Sequence, residues 1–312
     1  MSGRWPREVV DVYERLERYE LVGASACVRE IVVALSTLAQ DALARRADPV
    51  AEVVAAGHAF SALKPETALY RDTVSWLTAQ LDNSLPAEAA ASIQMRAHRF
   101  ALHREDGVRR LVAHSEQVLR GVASVLVHDF SSTVMSVLRS AQQRGQRLLV
   151  VATAAEPVGG GARVAAEAAA AGHRAVLVPD TGAARALADV ELVLTGVETA
   201  YLDGALANTL GTYAIALLAR EASVPIYGVT ECLKIERGRR PAAHSDINAN
   251  LLSTWPGVRV PAGVEVRTDV LDLTPAELVT GYVTERGVLA PAGLAIASQA
   301  ARLELEQLLT ET

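Results

Sequence analysis

Apolar positions in the first part of the chain recur at helical spacing. Val9, Val12, Tyr13, Leu16 and Tyr19 fall on one face of a helix over Glu8–Tyr19. Ala24–Ala44 is long and apolar along one side, and Asp48-Pro49 stops one helix and restarts the next. The pattern continues over 66–81 and 86–120, with a turn at Asp82-Asn83-Ser84. No β-like alternation interrupts it, so residues 1–120 are expected to form a helical N-terminal domain.

The texture changes after Arg120. Short Val- and Leu-rich runs appear at Ala123–Val127, Leu148–Ala152, Ala175–Val178, Leu192–Leu194 and Ile226–Val229. Between them lie helical candidates at 132–144, 162–171, 181–188 and 207–222. Strand, helix, strand at this spacing predicts βαβ units around a buried parallel sheet. The fold class is therefore α/β, with a Rossmann-like domain over 121–312 following the helical one.

The carboxyl ends of such strands are where ligands sit. That rule selects His128–Ser131, Thr153–Gly161, Pro179–Gly182, Gly196–Asn208 and Thr230–Arg237. Asp129 and Glu198 each follow a predicted strand. Two carboxylates so placed can act as acid and base if burial separates their pKa values, or they can cap helices. Gly159-Gly160-Gly161 precedes a helix and could bring N–H groups to a phosphate, but Val164 stands where a dinucleotide fingerprint has its third glycine. Gly196–Tyr213 carries the most information: a strand, a turn at Asp203-Gly204, then a helix expected to start near Asn208 with Gly211 allowing close packing.

Composition narrows the classes. The chain has 312 residues, 50% of them hydrophobic, which is enough for a sizeable core and excludes a disordered chain. The formal net charge of −6 argues against a broad basic field for nucleic acid. Only Lys64 and Lys234 are lysines. Cys27 and Cys232 cannot form a disulfide framework and are expected as free thiols in a reducing cytoplasm. The N-terminal residues mix charges with apolar side chains, unlike a signal peptide, and no apolar run reaches the ~18 residues of a membrane span. His98 and His103 do not share a helix face, and no spacing suits a metal. No cofactor and no metal are expected.

Several segments, taken in order, resemble the superfamily that contains the alpha, beta and delta subunits of translation initiation factor 2B. Its other members include isomerases of methylthioribose 1-phosphate and ribose 1,5-bisphosphate. Gly196-Val197-Glu198, Asp203-Gly204 and Asn208-Thr209-Leu210-Gly211-Thr212 look like the G-A-D, N-G and N-K-I-G-T elements of the isomerases. Val127-His128-Asp129-Phe130-Ser131 looks like the T-H-x-x-S strand end, and Thr230-Glu231-Cys232-Leu233-Lys234 like E-S-x-K. Gly23-Ala24-Ser25 and Lys64-Pro65 resemble R-G-A-S and R-P, and 272–289 resembles the C-terminal signature. The likeness covers roughly 20–290 and implies a homodimer or hexamer with a sugar or nucleotide ligand, no direct nucleic-acid contact and no membrane. The site it implies is Gly23, Ala24, Ser25, Lys64, Ser131, Gly159, Gly160, Gly161, Asn208 and Lys234 for ligand, with Asp129 and Glu198 catalytic if the protein is an enzyme.

The departures bear on function. Asp129 stands where the isomerases have a cysteine, and Glu198 where they have an aspartate. Val22, Lys64 and Thr209 stand where they hold phosphate with two arginines and a lysine, and Glu156 replaces the arginine of E-S-R-P. An anion pocket needs oriented donors and positive charge. The leading expectation is a non-catalytic, ligand-sensing or protein-binding homologue. The alternatives are an aldose–ketose isomerase using Asp129 and Glu198, with Arg163 among its ligand contacts, and a nucleotide-binding Rossmann protein.

Overall fold

The computed structural model describes residues 5–18, 20–21, 23–64, 67–81, 83–156, 158–238, 263–264 and 270–310. Tyr19, Val22, Pro65 and Asp82, each named above, lie outside the described residues, as does Pro157 within the Thr153–Gly161 segment. The chain divides into two compact units, Met1–Gly107 with Gln299–Thr312, and Val108–Ser298.

The first unit is helical: α1 (Arg7–Glu17), α2 (Ala24–Ala44), α3 (Pro49–Leu63), α4 (Ala68–Thr78) and the start of α5 (Pro86–Leu119). Local chemistry sets these limits. Asp48 caps α3, its carboxylate accepting from the Val50 and Ala51 amides at 2.9 and 3.3 Å, and Pro49 takes the first helical position. Val9, Val12 and Leu16 bury the inner stripe of α1, and Ile31, Leu35 and Leu38 that of α2. Gly57 lets α4 approach closely, because a Cβ there would lie 2.5 Å from Val74 Cγ2. The last helix, α10 (Leu294–Thr310), joins this unit from Gln299 onward, and the Trp76 indole donates to its Leu305 carbonyl at 2.8 Å. The change of sequence texture at Arg120 coincides with the end of α5, whereas the unit boundary falls inside that helix.

The second unit is the α/β one. Its main sheet contains β1 (Ser124–His128), β2 (Leu149–Thr153), β3 (Arg174–Val178), β4 (Leu192–Gly196), β7 (Ile226–Val229), β10 (Gly281–Thr284) and β11 (Gly287–Leu289). The order is β11-β10-β7-β4-β1-β2-β3, parallel except for β11. The end of α5, α6 (Ser132–Gln143) and α7 (Gly161–Ala170) cover one face through Leu111, Leu119, Val134, Leu138 and Val164. On the other face α8 (Ala183–Leu187) and α9 (Thr212–Glu221) bring Leu187, Ile215 and Ala219. Each fully buried Val or Leu here contributes about 1.5–3 kcal/mol. Strands covered on both faces read as continuous apolar runs, which is why they stand out in the sequence.

A smaller sheet, order β8-β5-β6-β9, is built from β5 (Thr199–Tyr201), β6 (Leu206–Thr209), β8 (Ile235–Glu236) and β9 (Leu271–Thr274). It corrects the expected helix over 207–222. Leu206–Thr209 is a strand, held antiparallel between β5 and β9, and α9 begins only at Thr212. Pairing from both sides satisfies the backbone there, and Gly211 at φ +104° turns the chain into the helix. No helix among the described residues is long and apolar enough to cross a membrane.

Candidate functional site

From β1 the chain winds outward through β2 and β3 on one side, and through β4, β7 and β10 on the other. The strand order therefore reverses between β1 and β4, the position beyond whose carboxyl ends such sheets place their ligand crevice. Asp129 directly follows β1, and Val197 and Glu198 follow β4. Gly196 ends β4 against the first turn of α6. A Cβ at that position would lie 2.7 Å from Ser131 Cβ, so a bare backbone is needed for the two to meet.

Asp129 adopts φ +61°, a left-handed conformation that non-glycine residues rarely take and that Asp tolerates better than most. Its Oδ2 accepts a hydrogen bond from the Thr209 hydroxyl. Its Oδ1 is sealed from solvent and has no hydrogen-bond partner. That oxygen lies against Gly160, the residue before α7, where an added Cβ would collide with it and fall 2.8 Å from the Phe130 nitrogen. Burial pushes the Asp129 carboxyl up from its ordinary value, and the charge of Glu198 pushes it further. The Thr209 hydroxyl, the Phe130 amide and His128 pull it down.

The neighbours of Asp129 are fixed from several elements. His128 Nε2 donates to the Leu210 carbonyl at 2.9 Å, and Nδ1 lies 2.6 Å from the Thr153 hydroxyl. This ties β1 to β2 and to the turn before α9. Gly211 leaves room for it, since a Cβ there would sit 3.0 Å from the imidazole. Asp272 on β9 caps α9 by accepting from the Gly211 amide at 2.8 Å and the Tyr213 amide at 3.1 Å. The Asn208 amide lies 3.0 Å from the Thr195 hydroxyl and 3.1 Å from the Thr212 hydroxyl. With its oxygen toward them, its nitrogen donates to the Gly196 carbonyl at 3.2 Å, which satisfies both ends.

The loop after β2 is closed on itself. Ala155 and Glu156 donate their amides to Asp180 Oδ1 and Oδ2, both at 2.8 Å. The Gly159 amide donates to the Ala155 carbonyl, and the Gly161 amide to the Ala154 carbonyl. Gly161 admits no side chain, because a Cβ would lie 2.7 Å from the Thr153 carbonyl carbon.

The candidate residues of this unit thus divide by role. Asp129 and Gly160 are in contact at the crevice, and the charge of Glu198 acts on Asp129. Ser131 caps α6, its Oγ 3.4 Å from the Val134 amide. Asn208 braces β6 against β4 and α9. Lys234 is buried and its Nζ donates to the Val197 carbonyl at 3.0 Å. Arg163 stacks 3.6 Å above the Phe130 ring and pairs with Glu167 at 2.9 Å. In the helical unit, Gly23 opens α2 at φ +83°, Ala24 is buried in the first turn, and the Ser25 carbonyl accepts from Arg104 at 3.3 Å. Lys64 ends α3. That unit has its own cleft of about 340 Å³ between α3 and α4, lined by Gly57, His58, Ser61, Arg71, Val74 and Ser75 among others. None of the candidate residues lines it.

Thr153, Asp180 and Thr209 were not among the candidates. Asp180 carried a signal, since it sits at a predicted strand end, and Thr209 stood out as a departure from a motif. Thr153 carried the same signal as Asp180, standing directly after the predicted strand Leu148–Ala152. Cys232 is buried, and that burial together with the Glu285 carboxylate pushes its thiol up, away from the reactive thiolate. Among the described residues, no group of three or more His, Cys, Asp or Glu side chains could hold a metal ion.

The model of the Initiation factor 2 subunit family matches residues 20–291. A ribose 1,5-bisphosphate isomerase from Archaeoglobus fulgidus is 26% identical over 297 residues, covering 91% of this chain and 90% of that protein. Among solved structures, the translation initiation factor eIF-2B of Pyrococcus horikoshii OT3 superposes with a TM-score of 0.76 at 23% identity, covering 92% of this chain and 98% of that one. The tetrameric eIF2B-beta2-delta2 complex from C. thermophilum gives a TM-score of 0.67 at 16% identity, over 94% and 93% of the two chains.

Proposed function

The chain belongs to the Initiation factor 2 subunit family, and we propose that it is a ligand-sensing or protein-binding member that does not isomerise sugar phosphates. One observation carries this reading. The resemblance sets Asp129 and Thr209 against a cysteine and a lysine of the isomerases, and these two residues are bonded to each other. Where the isomerases have a thiol and a cation, this chain has a carboxyl and a hydroxyl that bond to each other, the Thr209 hydroxyl donating to Asp129 Oδ2. Lys234 and Arg163 are also engaged within the protein, which is what an emptied phosphate pocket requires.

The test is turnover. Methylthioribose 1-phosphate and ribose 1,5-bisphosphate, followed by phosphorus NMR at high protein concentration, are expected to remain unchanged. Conversion of either that vanishes in Asp129→Asn overturns the reading.

A second reading has its own support. Asp129 and Glu198 are two carboxyls at a strand-end crevice, one pushed up by burial and by the other's charge, an arrangement that separates an acid from a base. As an aldose–ketose isomerase, the protein would use them to move a proton between neighbouring carbons of an open-chain sugar. In either case we read the protein as a cytoplasmic homo-oligomer, the expectation carried by the family resemblance.

A further inference from the structure

The cleft between α3 and α4 plays no part in the function proposed above. α3 sends Val53, Ala56 and Phe60 into the core, and α4 sends Tyr70 and Leu77. The outer sides of the two helices meet across about 340 Å³, a volume within the ~300–1,000 Å³ of small-molecule sites. Much of the lining is apolar. Val54 and Ala62 of α3 join Gly57 and Val74, whose contact leaves no room for a Cβ at position 57.

The polar groups of the cleft are of one kind. Ser75 and Thr78 give their hydroxyls to carbonyls of α4 itself, those of Arg71 and Val74, both at 3.0 Å. His58 and Ser61 stand three positions apart on α3, so ring and hydroxyl share one side of that helix. Arg71 brings a guanidinium from α4. No carboxylate is among the described residues that line the cleft. The neighbouring acid, Asp72, is held by Arg302 at 2.5 Å and stands 3.9 Å from Arg71 Nε. Arg71 is about half exposed, and its five N–H donors are more than a single carboxylate takes up.

We propose that this cleft binds a small organic monoanion, a carboxylate on a compact apolar body. Arg71 meets the carboxylate, whose two oxygens match the planar fork of a guanidinium. Val54, Ala62 and Val74 take the apolar part. A polyanion is disfavoured, because one cation on α4 faces only a neutral hydroxyl and an imidazole on α3. The site lies in the helical unit and needs no chemistry at Asp129.

The test is titration of the full chain, followed by saturation-transfer NMR, with benzoate and hexanoate. Benzyl alcohol and hexan-1-ol serve as uncharged counterparts, and inorganic phosphate as an anion without an apolar body. At least one acid is expected to bind saturably, about threefold or more tighter than its alcohol and than phosphate. Arg71→Gln is expected to erase the difference between acid and alcohol. Ala62→Trp, which fills the cleft from the other helix, is expected to abolish binding of both. Both positions are exposed, and two variants on separate helices keep the test decisive if one fails to fold. The proposal is overturned if neither acid binds, if an alcohol or phosphate binds as tightly as the acids, or if binding is unchanged in either folded variant. None of these outcomes bears on the non-isomerase reading, which only turnover of a sugar phosphate overturns.

Discussion

Replacing Asp129 by asparagine separates the cost of its charge from the rest of its role. Asparagine tolerates the left-handed backbone at this position and can accept from the Thr209 hydroxyl through its own oxygen. It cannot ionise. In the native protein burial raises the Asp129 carboxyl above its ordinary value, and Glu198 adds to the shift. The sign follows. An acid whose pKa is higher folded than unfolded stabilises the fold fully below its unfolded pKa of about 3.9. That stability is lost as pH rises through the folded value. Each unit of elevation is worth about 1.4 kcal/mol. At pH values where Asp129 is ionised in the fold, Asp129→Asn is therefore expected to be more stable than the native chain, by about 1.4 kcal/mol for each unit of elevation, so the difference should grow from pH 4 to pH 8. At pH 4 the two are expected to agree to within about 0.5 kcal/mol. Urea denaturation of both proteins at pH 4, 6 and 8, followed by circular dichroism, gives the difference directly. Other acids cancel in that difference, including Glu285, which burial also pushes up. A gap that is the same at all three pH values, or an asparagine protein that is the weaker at pH 8, refutes the reasoning.

The close approaches around the crevice predict further changes. Gly161→Ala places a Cβ 2.7 Å from the Thr153 carbonyl carbon, a backbone atom of a central strand, and should cost at least the ~1–3 kcal/mol of an overpacked core, read as a fall in Tm. Asp272→Ala removes the acceptor for the Gly211 and Tyr213 amides and should destabilise by about 1 kcal/mol, with faster amide exchange in the first turn of α9. In a Cys27→Ser background, Cys232 should stay unreactive to a thiol reagent at pH 8 until urea unfolds the chain; rapid labelling of the folded protein would contradict the pairing of burial with Glu285.

How much of this was legible in the sequence depended on the range of each interaction. α2 was read as Ala24–Ala44 and is found there, because an apolar stripe and its flanks are local facts. The strands of the main sheet were legible because burial on both faces leaves unbroken apolar runs. β6 was not, since Leu206-Ala207-Asn208-Thr209 favours no state by itself and is made a strand by β5 and β9. The union of α10 with the helical unit also has no local signal: it rests on contacts such as that between Trp76 and Leu305, 229 positions apart. The site shows the same limit. Strand-end position picked out Asp129 and Glu198, but the bond from Thr209 spans 80 residues, and no motif reports that Asp129 is folded against Gly160.

The fold of this site and the side chains at its strand ends rest on different residues, so one can be kept while the other varies. The crevice is shaped by buried, fully bonded groups: His128 with Thr153 and Leu210, Asn208 with Thr195 and Thr212, and Asp272 across the start of α9. Removing a partner from such a group strands a buried donor or acceptor, at about 1–3 kcal/mol each. Asp129 and Thr209 are held less fully, since Asp129 Oδ2 accepts from Thr209 while Oδ1 has no partner, and the sheet beneath them stays covered by its own apolar layers. A chain can therefore hold the strand order, the glycine turns and the caps of an ancestral scaffold while the groups facing its ligand change sign. The charge found in that crevice is then a better guide to what it binds than the fold that surrounds it.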